Sequence, residues 1–151
     1  MTVSFRKATK NDLPFIVQLL AQDELGQGRE DASLPLADDY IGAFDAIEAD
    51  PNQLLCVCLE GGKVIGSLQI SFIPGLSRKG MWRGQIEAVR IATNYRNEGL
   101  GEKMFSWAIE QCKDRNCQLV QLTTDKSRPD AHRFYDGLGF VASHEGYKLA
   151  L

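Results

Sequence analysis

The stretch Tyr95–Phe105, YRNEGLGEKMF, sets Arg96-x-x-Gly99-x-Gly101 at the head of a run of good helix formers. Glycine is about 1 kcal/mol worse than alanine inside a helix, so two of them at a helix start imply that something approaches the backbone closely. The turn follows a strand-like run directly, and the first N–H groups of the helix point outward without partners, which makes an anion site. Missing Cβ atoms admit a phosphate to the amides, while the helix dipole and the Arg96 guanidinium add positive potential. A pyrophosphate fits that description. The competing reading is a loop whose glycines only permit positive φ. No Gly-Lys-Ser/Thr follows, which excludes a P-loop, and the preceding strand belongs to a meander, which disfavours a dinucleotide fold.

Outward from this turn the elements alternate in a definite order. Upstream lie three sequential strand-like runs, QLLCVCLE, KVIGSLQISF and MWRGQIEAVRI, the first apolar almost throughout and so central, the second entered through the Gly61-Gly62 hairpin turn. Before them, Val3–Ala8 alternates as a strand, Asn11 caps a helix with apolar positions Leu13, Ile16, Leu19 and Leu20, and a polar loop leads to a second helix marked by Ile41, Phe44 and Ile47 that stops ahead of Pro51. Downstream, the helix begun at the glycines turns Leu100, Met104, Trp107, Ala108 and Cys112 inward and Glu102, Lys103, Ser106, Glu110, Lys113 and Asp114 outward. A strand CQLVQLTT follows, then a last helix opened by a capping box at Ser127-Arg128-Pro129-Asp130 and ending near Gly139, and FVASHEGYKLAL as terminal strand material. The fold class is α/β: a mixed, mostly antiparallel sheet with helices on both faces.

At 151 residues, 44% hydrophobic and 25% charged, the chain reads as one domain over 1–151 with a real core. No apolar run reaches the roughly 20 residues of a membrane span, and the start MTVSFRKATKND lacks a secretory signal's apolar core, so a soluble, cytoplasmic protein with no membrane partner is expected. Cys56, Cys58, Cys112 and Cys117 match no zinc spacing and read as reduced thiols, with no metal expected. A net charge of −3 without a long basic run argues against nucleic acid as a partner.

Two motifs carry a family resemblance. IEAVRIATNYRNEGLGEKMFSWAIEQC resembles motif A of the GCN5-related N-acetyltransferase (GNAT) family, with Arg96, Gly99 and Gly101 matching its Arg/Gln-x-x-Gly-x-Gly/Ala signature. DAHRFYDGLGF resembles motif B, with Ala131, Tyr135 and Leu138-Gly139-Phe140 in register. Order and spacing of elements agree, so the resemblance spans nearly the whole chain and implies the GNAT-like acyl-CoA N-acyltransferase fold. It also implies acetyl coenzyme A (acetyl-CoA) between two splayed parallel strands: its pyrophosphate on the amides of Asn97, Glu98, Gly99, Leu100 and Gly101 beside the Arg96 guanidinium, its pantetheine arm pairing like an extra strand with Val89, Arg90 and Ile91.

Acyl transfer to an amine needs a neutral nucleophile, a stabilised oxyanion and a tolerable thiolate leaving group. An amine of pKa ~10.4 costs about 4.6 kcal/mol to deprotonate at pH 7, so a base is useful. Glu87 is the candidate: simple alternation puts Arg83, Gln85 and Glu87 on one face opposite Trp82, Ile86 and Ala88, and family members carry a glutamate here. The alternative is a carboxylate paired with Arg83 or Arg90. Tyr135 matches the family tyrosine near the coenzyme sulfur and suits a hydrogen bond to the departing thiolate rather than early proton transfer. The resemblance gives the oxyanion to the backbone N–H of Val89 or a neighbour.

The chain departs from the family pattern at Arg128, where an asparagine is frequent; Arg128 then either reaches a phosphate or is a solvated first-turn side chain. His132 and His144 fall on no family catalytic position. The acidic loop Asp23, Glu24, Glu30 and Asp31, with Asp38 and Asp39 beyond, either attracts a cationic acceptor or is simply solvated. The resulting expectation is an acetyl-CoA-dependent N-acetyltransferase working by direct transfer in a ternary complex. Its acceptor is a small-molecule amine or a protein amine, and dimerisation, common in the family, is fixed by no sequence feature. The alternative is a non-catalytic acyl-CoA-binding sensor or regulatory module.

Overall fold

A strand that is apolar on both parities, such as QLLCVCLE, is satisfied only with helices on both faces of its sheet. The structure, a computed structural model describing residues 2–151, supplies those layers. Its elements are β1 (Ser4–Lys7), α1 (Leu13–Gln22), α2 (Asp38–Ala49), β2 (Gln53–Glu60), β3 (Lys63–Pro74), the short turn α3 (Ser77–Gly80), β4 (Trp82–Ile91), α4 (Leu100–Asp114), β5 (Leu119–Gln121) and α5 (Pro129–Gly137). From β2, Leu55 and Val57 pack with Ala8, Leu13, Ile16 and Phe44 on the α1/α2 side. Cys56 and Cys58 pack with Leu100, Met104, Phe105, Ala108 and Cys112 on the α4 side. The sheet order is β1-β2-β3-β4-β5, antiparallel through β4, with β5 parallel to β4. This is the expected mixed, mostly antiparallel sheet.

Three local expectations need correction. The helical entry is capped at Thr9 rather than Asn11: the backbone N–H and hydroxyl of Thr9 both donate to the Asp12 carboxylate, at 2.7 and 3.1 Å, and a 3-10 turn over Lys10–Asp12 precedes α1. Arg6 forks onto the same carboxylate at 2.6 and 3.0 Å, tying β1 to this entry. At the start of α5 the Ser127 box does not form, because the Ser127 N–H and hydroxyl both turn back to Asp125. The closing segment from Phe140 joins no ladder. It passes within van der Waals reach of Thr123, but Val141, Tyr147 and Leu149 face solvent, so no apolar face is buried to hold it as a strand.

All four cysteines are free. Burial pushes the Cys56 thiol up to about 12 and those of Cys58 and Cys112 to about 11, as inert core thiols require. The sequence reading missed Phe105, which is 1% exposed and sits edge-on to Phe134, Tyr135 and Phe140 at 5.5–6.2 Å. That aromatic cluster fastens α5 to α4, and burying one such ring contributes about 1.5–3 kcal/mol.

Candidate active site

β4 is held on both edges only at its beginning. Arg83, Gly84 and Gln85 pair with Leu119, Val120 and Gln121 of β5, and there the parallel ladder stops. From Ile86 to Ile91, β4 keeps β3 on one side and has no strand partner on the other among the described residues. The result is a β4 edge that is open on the β5 side from Ile86 onward.

Within the open stretch β4 carries a bulge. Glu87 pairs with Gln69 and Arg90 with Ser67, so Ala88 and Val89 together oppose the single residue Leu68. Ala88 takes φ +53°, a left-handed conformation that costs a non-glycine residue roughly 1–2 kcal/mol. The bulge resets the alternation. Ile86 and then Val89 and Ile91 pack on the α4 side, while Ala88 lines a small cavity of about 140 Å³ beneath α1 and α2 with Leu13, Phe44, Ser67 and Gln69. Ala88 therefore does not share a face with Trp82 and Ile86, as simple alternation had it.

Beyond β4, the turn Arg96–Gly101 leads into α4. Asn97 and Gly99 are left-handed, at φ +64° and +78°, and Gly99 is the N-cap residue of α4. The two glycines have different reasons. A Cβ on Gly99 would meet no atom within 4 Å, so that position faces open space and is fixed by its backbone angle. A Cβ on Gly101 would lie 3.2 Å from the Phe134 ring and 3.6 Å from Ile91, so this glycine lets α4 approach α5 and β4. Arg96 Nε donates to the Ile91 carbonyl at 3.3 Å, bracing the turn against the strand end.

On the α1/α2 side a polar ladder crosses the sheet. Gln69 and Ser71 both donate to Gln53 Oε1, at 2.9 and 3.0 Å, the Ser71 hydroxyl also lies 3.5 Å from Glu87 Oε1, and Gln121 donates to Gln85 at 2.9 Å. Glu87 is exposed on this wall and in no ion pair among the described residues, because Arg90 turns instead to Asp23. Pairing with Arg90 is thereby removed as an account of Glu87.

Tyr135 lies on α5. It is half-buried against Phe105, Phe134 and Phe140. Burial raises its phenol pKa, while the nearby charges of Arg128 and Arg90 oppose that rise. Sequence reasoning did not anticipate what joins these groups. Asp23, at the end of α1, binds Arg128 at 2.7 Å and lies 3.7 Å from Arg90. Burial works against ionising Asp23, yet the Arg128 hydrogen bond and both guanidinium charges outweigh it and hold the carboxyl below its ordinary range. Arg128 is thus a partly exposed side chain held in an ion pair with Asp23. His132 and His144 are exposed, His132 Nε2 lying 3.2 Å from the Asp125 carbonyl and His144 Nδ1 2.7 Å from the Ser143 hydroxyl. Glu87 and Tyr135 make no hydrogen bond with each other.

Comparison with known proteins bears on the fold as a whole. The family model described as acetyltransferase (GNAT) family matches residues 15–140. Aminoalkylphosphonate N-acetyltransferase of Salmonella typhimurium (strain LT2) is 31% identical over 116 residues, 75% of each chain. Among solved structures, a transcriptional regulator from Bacillus halodurans C-125 is 47% identical with a TM-score of 0.97, over 99% of this chain and all of that one. A putative acetyltransferase from Agrobacterium tumefaciens is 28% identical with a TM-score of 0.85, over 98% of this chain and 99% of that one.

Proposed function

Because this chain belongs to the GNAT family of N-acetyltransferases, we propose that it moves the acetyl group of acetyl-CoA directly to a primary amine held beside β4. The observation that carries the reading is the open edge of β4 from Ile86 to Ile91 running into the turn Arg96–Gly101. A strand-shaped arm and an anion need those two things in that order. Val89, Arg90 and Ile91 would hold the pantetheine arm by backbone hydrogen bonds. The amides of Asn97 to Gly101 and the Arg96 guanidinium would hold the pyrophosphate. The exposed Gly99 position, where no side chain intrudes, suits close approach of a phosphate.

Acetyl-CoA supplies an acetyl group activated as a thioester, and the residues of this chain do the rest. Glu87 on the polar wall accepts the proton of the acceptor ammonium, directly or through water, leaving a neutral amine. The backbone N–H of Val89, which has no partner in the β3 ladder across the bulge, or that of a neighbour would donate to the developing oxyanion. The Tyr135 hydroxyl donates a hydrogen bond to the departing sulfur. The similarity to aminoalkylphosphonate N-acetyltransferase supports a small-molecule acceptor over a protein one.

A second reading, a non-catalytic acyl-CoA-binding regulator, is favoured by the name of the Bacillus halodurans protein. Thiol release from acetyl-CoA across a panel of primary amines, with the acetylated product identified by mass, separates the two. Transfer to at least one amine supports the enzyme. Tight acetyl-CoA binding with no transfer to any amine supports the regulator.

A further inference from the structure

Two buried polar side-chain atoms have no hydrogen-bond partner among the described residues: Ser67 Oγ and Arg90 Nε. They are not scattered. Ser67 and Arg90 are directly opposed across β3 and β4, at the edge of the bulge. Buried polar groups are nearly always bonded, and leaving one unsatisfied costs about 1–3 kcal/mol, so an orphaned pair at one spot points to a ligand that completes it.

Guanidinium groups gather around that spot. Arg29, Arg90 and Arg128 face Asp23 and Glu30, and Glu30 also accepts a hydrogen bond from the Tyr40 hydroxyl at 3.0 Å. Asp125 also acts on Arg128, and Lys148 on Asp125. Arg90 and Arg128 share the one carboxylate of Asp23. Their planar guanidinium forks suit carboxylate and phosphonate oxygens. Asp23 holds Arg128 and Arg90 together, from elements 105 residues apart in the case of Arg128.

We propose that Arg128 and Arg90, gathered by Asp23 and backed by Ser67, bind an oxyanion on the acceptor, so that the acceptor is a short primary amine carrying a carboxylate or phosphonate. This rests on the acetyl-transfer reading for the position of the amine. Glu87 and Arg90 lie three positions apart on β4, roughly 10 Å at about 3.3 Å per residue and less across the bulge. A molecule with its amine at Glu87 and its anion at Arg90 therefore spans a few carbons.

The test compares 3-aminopropylphosphonate, 4-aminobutanoate and neutral butylamine as acceptors, with thiol release read for wild type, Arg128→Ala and Arg128→Lys, each checked for folding by its melting temperature. At least one oxyanion-bearing amine should exceed butylamine in kcat/KM by tenfold or more. That preference should shrink by on the order of ten- to hundredfold in Arg128→Ala, as for loss of a charged hydrogen bond, and return in part in Arg128→Lys. Which acid is preferred distinguishes phosphonate from carboxylate. Should Arg128→Ala not fold, Arg128→Gln keeps the stem and carries the same expectation.

Equal kcat/KM for butylamine, or an unchanged preference in the variants, overturns the proposal. So does a defect confined to KM for acetyl-CoA, which would give the arginines to the coenzyme phosphates. Calorimetry with the amine-free propylphosphonate and butanoate in the presence of coenzyme A decides the matter independently of turnover. Binding of either, lost in Arg128→Ala, upholds the oxyanion site even if no amine is acetylated, an outcome that would sink only the transfer reading. Binding of neither overturns the site.

Discussion

Gly84 fixes how closely α4 can lie against β4, and replacing it with alanine tests that packing in numbers. Gly84 pairs with Phe72 of β3 and Val120 of β5, just before the parallel ladder ends and the opening begins. A Cβ there would fall 2.3 Å from Cys112 Sγ and 3.3 Å from Cys112 Cβ. Unstrained heavy-atom contacts lie at about 3.5–4.0 Å, so something must move by more than roughly 1 Å. Cys112 is 1% exposed on α4 and has no solvent to retreat into. Overpacking of this kind costs about 1–3 kcal/mol, against about 0.4–1 kcal/mol gained from a less flexible unfolded chain. Gly84→Ala should therefore lose about 1–2 kcal/mol, and melting should fall by roughly 2–8 °C for a chain of this size. Cys112→Ala alone should lose about 1 kcal/mol of buried contact. Together the new methyl takes up space the sulfur left, so the double variant should be more stable than the sum predicts by about 1 kcal/mol or more. Urea unfolding at constant m-value measures all four proteins. A Gly84→Ala protein as stable as wild type, or a strictly additive pair, would refute the close approach of α4 to β4.

Glu87→Gln keeps the shape and removes the base, so kcat/KM should fall most below the acceptor's pKa and recover partly at high pH; an unchanged pH–rate profile with a good acceptor ends that role. Tyr135→Phe should keep folding and the KM for acetyl-CoA while lowering single-turnover transfer by roughly ten- to a thousandfold. An undiminished single-turnover rate would leave Tyr135 a packing residue. The Arg6 hydrogen bonds, with Thr9 behind them and burial opposing, hold the Asp12 carboxyl below its ordinary range. A depressed folded-state value stabilises above the unfolded value of about 3.9 and is lost as pH falls through the folded one. Acid unfolding followed by circular dichroism should accordingly show a shallower loss for Asp12→Asn than for wild type, and identical acid profiles would contradict the linkage.

The sheet and the turn of α4 were legible in the sequence because their signals are local. β2 declares itself by apolar residues on both parities, α4 by its inward stripe, and the turn by glycines placed where helix formers are otherwise continuous. Other features carry no local signal. An alanine at φ +53° looks like any strand alanine, so the bulge at Ala88 and the parity change after it were invisible to strict alternation. Asn11 and Thr9 are both good caps, and the choice was made by Arg6 and Asp12 acting together. The Asp23–Arg128 bond spans 105 residues, so the acidic loop and the unusual arginine each looked solvated when read apart. The closing segment has strand-like alternation but no face to bury it on, and burial rather than propensity decides strands.

Calorimetry of acetyl-CoA binding to wild type and to Gly99→Val tests the central claim most directly. Gly99 stands at φ +78° with no protein atom within 4 Å of its missing Cβ. Valine there strains the backbone by roughly 1–2 kcal/mol and projects its side chain into the space assigned to the pyrophosphate. The expected result is binding to wild type and none measurable to a variant that still melts cooperatively. Equal affinity in a folded Gly99→Val protein would contradict the assignment of this turn, and with it the placement of acetyl-CoA along β4.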